Sequence, residues 1–250
     1  LLRRDAVGAH GLLAEAQVGV DISESTGSGR SSTHPLQVWC VHWEFMSPTG
    51  NSDIHEALAD AMSSRPYTHR QDVDTGITAV ITVEEDMRFL RSTLRSVLTQ
   101  NVLPGVVIIA DATGRTSSRI TTSFEVIPSP SGPVMEVPQS KHVTIHIVSA
   151  KGARSFGDAV SRALDRADLD DAPRALWLLH DDSRPSDDSC LERLLEAWRN
   201  TPGASVLGCK QCDWEGSHLH DVGMYAGHHA VHSLVVDGEP DQEQYDGRQD

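Results

Sequence analysis

The chain has 250 residues, 38% of them hydrophobic, and a formal net charge of −15. That length suits one large α/β domain, or a medium domain with an appendage. The acidic balance argues against nucleic acid or an anionic membrane as the main partner; it is compatible with recruitment of metal cations and equally with a solvated acidic surface.

No stretch reaches the ~18–20 consecutive apolar residues of a membrane span. The N-terminal LLRRDAVGAH also lacks the apolar region of a signal peptide. The start at Leu1 and the polar ending GEPDQEQYDGRQD lead us to expect a piece of a longer protein, so a span in the parent stays open. Four cysteines are too few for a disulfide scaffold of this size. Cys209 and Cys212 form a CxxC with His218 and His220 downstream. A single CxxC and so close a histidine pair favour ordinary reduced cysteines over a zinc site.

Residues 1–75 carry no chemical motif and read as an N-terminal extension or small subdomain. Within it DISESTGSGRSST (21–33) has linker composition, VWCVHWEF (38–45) suits a short strand, and IHEALADAM (54–62) suits a short helix. From Ile77 the pattern sharpens. ITAVITV (77–83) predicts a buried strand. A helix over 84–100 follows, with Met87, Leu90, Leu94, Val97 and Leu98 on one face and Glu84, Glu85 and Asp86 suited to the dipole of its first turn. Pro104 and Gly105 break it, and VVIIA (106–110) is a second strand ending at Asp111.

The Ser-, Thr- and Pro-rich stretch 112–141 reads as a long loop or insertion. VTIHIV (143–148) is a third strand, and a helix over 155–168 spaces Phe156, Val160 and Leu164 by four. ALWLL (175–179) is a fourth strand, running straight into His180, Asp181 and Asp182. A third helix spans 186–200, with Ser186 as cap, and ASVLG (204–208) is a fifth strand. The remaining residues, 211–250, contain a late cluster of histidines at 218, 220, 228, 229 and 232, which suits a solvated hairpin better than a metal site.

Strands alternating with helices imply right-handed βαβ units and a mostly parallel, Rossmann-like sheet. Ligands of such sheets bind beyond the carboxyl ends of the strands. Glu84, Asp111 and the run 180–182 all fall there. Each alone suits a helix cap or a turn; together along one edge they point to a site. No GxGxxG, GxxxxGK[ST] or GxSxG follows a strand, which disfavours a dinucleotide-binding, P-loop or α/β-hydrolase protein. A carboxylate for a base or ribose and an acidic pair for a hard cation suit a nucleotide-diphosphate ligand.

Residues 77–210 resemble inverting family 2 glycosyltransferases of the GT-A fold, most of all large actinobacterial, membrane-associated members. VVIIADATG resembles the family's strand followed by D-N-G-S. SFGDAVSRAL resembles its G-F-G-x-A-x-N-x-G-L helix, and LWLLHDDSRPSDDSCLERLL its D-x-D strand, turn and helix. GCKQCDWEGSHLHDVGMYAG has counterparts of the form G-x-K-x-x-D-W. The resemblance implies a GT-A core over 76–210 that binds a nucleotide-diphosphate sugar with Mg²⁺ or Mn²⁺, and the start of an acceptor-side region over 211–250.

Carried over by position, Thr82 and Glu84 flank the base, Asp111 binds base or ribose, and Asp182 takes the last D-x-D position as metal ligand. His180 stands on the first acidic position, which is a departure because imidazole supplies no charge and prefers softer metals. Asp181 is then its helper. Ser161 stands where the family often has asparagine. Arg154 suits a phosphate contact or a surface salt bridge. None of Asp213, Asp221, Asp237 and Asp246 has the context of the family's catalytic base, which is expected beyond Asp250. The expected partners are a sugar-nucleotide donor and a glycan, lipid or cell-envelope acceptor. The expected location is the cytoplasm, or the cytoplasmic face of a membrane in the parent. The alternatives are a non-catalytic nucleotide-sugar-binding or scaffold module, and a nucleotidyltransferase, whose triphosphate Glu84, Glu85 and Asp86 would repel.

Overall fold

The computed structural model describes residues 2–3, 39–42, 53–64, 71–84, 87–127, 139–226, 231–233 and 235–245. The linker-like stretch 21–33, Glu85, Asp86, the Pro-rich segment near 128–133, His228, His229 and Asp246 lie outside them.

In chain order the elements are β1 (Leu2–Arg3), β2 (Trp39–His42), α1 (Ile54–Ser63), β3 (Asp72–Val83), α2 (Leu90–Leu98), β4 (Val102–Asp111), β5 (Ile120–Val126), β6 (Lys141–Ser149), α3 (Phe156–Ala167) and β7 (Ala175–His180). They continue with β8 (Ser183–Pro185), α4 (Cys190–Asn200), β9 (Lys210–Cys212), β10 (His218–Asp221), β11 (Met224–Ala226), β12 (Val231–Ser233) and β13 (Glu239–Pro240). The architecture is α/β. A six-stranded sheet ordered β1-β7-β3-β4-β6-β5 is flanked by helices. Its inner strands β7, β3, β4 and β6 run parallel, and β1 and β5 are antiparallel edges. This is compatible with a Rossmann-like fold.

Burial explains the central strand. Residues 77–83 of β3 are all buried, so both faces of the strand are covered. Ile77, Ala79, Ile81 and Val83 join α1, α2 and α4 in the larger core, whereas Val80 packs with Ala159, Val160 and Ala163 of α3 on the other face. Part of the first 75 residues therefore shares the main core, through Ile54, Ala57, Leu58 and Ala61 of α1.

The strand order positions the site. The chain moves from β3 out to β4 and β6, then returns past β3 through α3 to β7. Crossovers of one hand running in opposite directions put α2 and α3 on opposite faces. A crevice must then open between the carboxyl ends of β3 and β7, where the order reverses. A second sheet, ordered β13-β10-β9-β2-β8, begins from the same place, because β8 starts one residue after Asp182.

Several expectations need correction. The stretch 112–141 is not all loop: ITTSFEV (120–126) is the edge strand β5. Its Ser and Thr content resembles a loop, but an edge strand buries few side chains, and here only Val126 is fully covered. ASVLG (204–208) is not a fifth parallel strand and holds only an isolated bridge at Val206. The flank of β7 that such a strand would use is already paired with β1. The helix expected from 84 starts at Leu90, after a turn at 87–89, so Glu84 is not in its first turn. The helix expected from 186 starts at Cys190; Ser186 is exposed ahead of it, and Asp187 instead accepts from the Ser189 N–H and hydroxyl.

Pro104 and Gly105 lie inside β4 rather than in a break. Pairing with β6 starts only at Val106, so the missing Pro104 N–H leaves no β6 acceptor waiting. At Gly105 a Cβ would sit 2.7 Å from the Thr75 Cα, in the irregular stretch of the β3–β4 register. Backbone on both sides cannot give way. Gly105→Ala is expected to destabilise the fold by about 1–3 kcal/mol, seen as an earlier urea midpoint; an unchanged midpoint would contradict this packing.

Candidate functional site

Strand register brings the site residues together. Thr82 on β3 lies opposite His180 on β7, and Val83 lies opposite Asp111 on β4. The ladder gains one more rung when the Asp181 N–H donates to the Thr82 carbonyl at 3.0 Å. The chain then turns sharply. The His180 N–H donates to the Ser183 hydroxyl at 3.0 Å, and that hydroxyl donates to the His180 carbonyl at 2.9 Å. The Thr93 hydroxyl of α2 ties down the Asp181 carbonyl at 2.8 Å. Two consecutive polar residues, His180 and Asp181, are thus fixed through their backbones before their side chains meet anything.

Their side chains converge. His180 Nδ1 is 2.9 Å from Asp181 Oδ1 and 2.8 Å from Asp182 Oδ1. The other Asp181 oxygen accepts the Glu84 backbone N–H at 3.1 Å. The ligating atoms of His180, Asp181 and Asp182 all lie within 4.8 Å of one another. The histidine side chain is 31% exposed, Asp181 2% and Asp182 13%, so the cluster has a floor and an open side. The Phe156 ring at the start of α3 stands 6.3 Å from the His180 ring. Beside the cluster, the buried Thr82 hydroxyl has no partner among the described residues.

Charge explains how the three side chains hold together. Burial disfavours the His180 imidazolium, but hydrogen bonds and charge from Asp181 and Asp182 outweigh it and push the pKa up to about 10. Burial pushes the Asp181 carboxyl up, only partly offset by His180 and the Glu84 N–H. The Nδ1 proton sits between two carboxylate oxygens, at the point a cation would share. Two carboxylates and an imidazole fit a divalent ion such as Mn²⁺ once that proton leaves, and the set is softer than an all-oxygen one.

The other expected residues fall less centrally. Asp111 is fully buried at the strand end, and its carboxylate is turned inward. It accepts the Thr113 N–H at 2.8 Å, the Thr113 hydroxyl at 2.5 Å and the Thr116 N–H at 2.6 Å. Burial works against its charge, yet these bonds hold it below the ordinary carboxylate range. In this arrangement Asp111 shapes the loop 112–116 and does not present its carboxylate to solvent. Glu84 contributes its backbone N–H to Asp181, and its side chain stands 3.6 Å from His180 Nε2. Arg154 is exposed ahead of α3, and its backbone N–H donates to Asp158 at 2.9 Å. Ser161 is exposed on α3. Cys209 and Cys212 do not gather with His218 and His220; the His180 cluster is the one metal-competent group among the described residues.

Sequence reading missed a neighbouring stack. Arg184 of β8 lies over the Trp214 ring at 4.1 Å, and Trp214 stacks on Phe89 at 5.1 Å. Burial lowers the Arg184 pKa below the ordinary arginine value. The signal was faint: Arg184 lies two residues past Asp182, but nothing local links it to Trp214. No protein-family model matches the chain, nor does any curated protein or solved structure.

A histidine pKa raised from 6.5 to about 10 contributes stability that is complete below pH 6.5 and lost as pH rises through about 10. His180→Asn is expected to flatten that part of the stability curve, and parallel urea-denaturation curves for the two proteins would contradict it. Nδ1 must lose its proton before it can ligate, so Mn²⁺ uptake is expected to release a proton and to tighten with rising pH. Calorimetry in two buffers of different ionisation heat counts that proton; a count of zero would mean that His180 does not ligate.

Proposed function

We propose that this chain is the donor-binding part of a metal-dependent, inverting glycosyltransferase of the GT-A type, taking a nucleotide-diphosphate sugar. The observation that carries this reading is the meeting of His180, Asp181 and Asp182 within 4.8 Å at the crevice between β3 and β7. The ordered likeness of residues 77–210 to family 2 supports it. Asp182 is the first metal ligand in this proposal, with His180 and Asp181 beside it. A bound Mg²⁺ or Mn²⁺ would supply charge stabilisation to the departing diphosphate.

The chain's own residues hold and orient. On this reading Thr82 and Glu84, at the carboxyl end of β3, flank the base. Asp111 keeps the loop 112–116 in place at the wall. Arg154 lies exposed ahead of α3, and on this reading takes a phosphate oxygen. In the transfer, an acceptor hydroxyl attacks the anomeric carbon in line as the bond to the diphosphate breaks. These residues bind the donor, and on this reading the acceptor's proton passes to a general base of the acceptor-side region. The acceptor class proposed is a glycan, lipid or cell-envelope polymer, reached from the cytoplasmic side. Among the described residues no helix is long and apolar enough to cross a membrane.

One observation favours a second reading, a nucleotide-sugar-binding module without catalysis: the His180 imidazolium already satisfies both carboxylates. The two readings differ in their need for metal. On the enzyme reading, UDP or GDP binds with Mn²⁺ and far less without it, and Asp182→Ala weakens the metal-dependent part on the order of tenfold or more. Calorimetry with each nucleotide, with and without Mn²⁺, checks this. Equal binding with and without metal favours the module, and no binding at millimolar nucleotide by a folded chain sinks both.

A further inference from the structure

Arg184 is a cation in strand β8 of the second sheet. Among the described residues no carboxylate pairs with it, although the chain as a whole is strongly acidic. Asp182, two residues earlier, bonds to His180 instead. Arg184 is held by its ring contact, with its guanidinium carbon 4.1 Å from the Trp214 centroid. Its Nε is buried and unbonded, and so is the indole N–H of Trp214. Trp214 is fixed in turn by stacking on Phe89, at 5.1 Å and 25°. Phe89 precedes α2, so the stack joins the start of α2, the turn after β9 and strand β8, which begins one residue after Asp182.

A partly buried cation with no anion is costly unless something supplies the anion. A guanidinium stacked flat on an aromatic ring keeps its outer edge free, and that edge matches two phosphate oxygens at once. The stack also fixes the rotamer beforehand, so little freedom is lost on binding. A metal-competent acidic cluster with a ring-stacked arginine two residues along the chain from it suits a ligand with several negative oxygens.

We propose that Arg184 is the anion-gripping residue of this site, taking two phosphate oxygens of a diphosphate ligand held beside the His180–Asp181–Asp182 cluster. The proposal rests on the nucleotide-diphosphate reading for the ligand's identity, but not for its anionic chemistry. Trp214 is the positioning residue that presents the guanidinium.

The test is calorimetry of the whole chain with Mn²⁺ and three probes: UDP, GDP and inorganic pyrophosphate. Arg184→Gln removes the charge, and Arg184→Lys keeps it without the planar fork. The expected result is a loss of roughly 10- to 100-fold in affinity for both pyrophosphate and the nucleotide in the Gln variant. The Lys variant should fall between it and the wild type. Unchanged binding in a Gln variant with a wild-type melting curve overturns the role of Arg184 and leaves the glycosyltransferase reading standing. Arg184-dependent binding of pyrophosphate with no binding of either nucleotide supports Arg184 and sinks the nucleotide reading. No binding of any probe by the wild type overturns both. If the Gln variant does not fold, the Lys variant decides: affinity for pyrophosphate equal to wild type overturns the two-oxygen grip.

Discussion

The parallel pairing of β7 with β3 is the constraint on which everything else depends. It sets Thr82 against His180 and carries the ladder one rung further, to the Asp181 N–H. A slip of one residue would exchange the two faces of β7. Trp177 and Leu179 would leave the larger core, and His180 would lose its place opposite Thr82 and beside Glu84. The hydrophobic pattern of ALWLL therefore fixes the chemistry of the residues that follow it. Burial on the helix-covered faces and polar display at the strand end are two outcomes of one register.

From that register follows an electrostatic problem and its local answer. Asp181 is nearly inaccessible and sits beside a second aspartate, in a chain that is already strongly acidic. Two carboxylates this close need a cation. Without an ion the imidazolium of His180 is that cation, fixed by both carboxylates. The same geometry can exchange a proton for a metal ion, which makes the histidine a competitor of the metal as well as a ligand. Arg184 shows the complementary imbalance, a positive group held over an aromatic ring. Among the described residues Arg184 pairs with no carboxylate, an arrangement that favours a ligand with its own negative charge over internal neutralisation.

Much of this was legible in the sequence, for a physical reason. Strands buried on both faces need unbroken apolar runs, and ITAVITV, VVIIA, VTIHIV and ALWLL have them. Amphipathic spacing gave α3 within a residue of its observed bounds. Edges and ends were harder. The strand β5 hides behind Ser and Thr because only one side of its chain is paired. The direction of a carboxylate is not written in its position: Asp111 stood at the right strand end, yet it turns inward onto Thr113 and Thr116. The spacing of those threonines was the available hint, since short polar side chains after an aspartate favour such turns. The contact between Arg184 and Trp214 joins residues far apart in sequence, and no local pattern encodes it.

The central claim is that the cation site lies at the β3–β7 crevice and not among the late histidines. Paramagnetic broadening by substoichiometric Mn²⁺ in an amide proton–nitrogen NMR spectrum tests it directly, because the effect falls steeply with distance from the ion. The account predicts that signals from residues 82–84 and 180–183 broaden first, while those from residues 213–220 stay sharp. Broadening centred on Asp213, His218 and His220, or spread evenly over the chain, would contradict it.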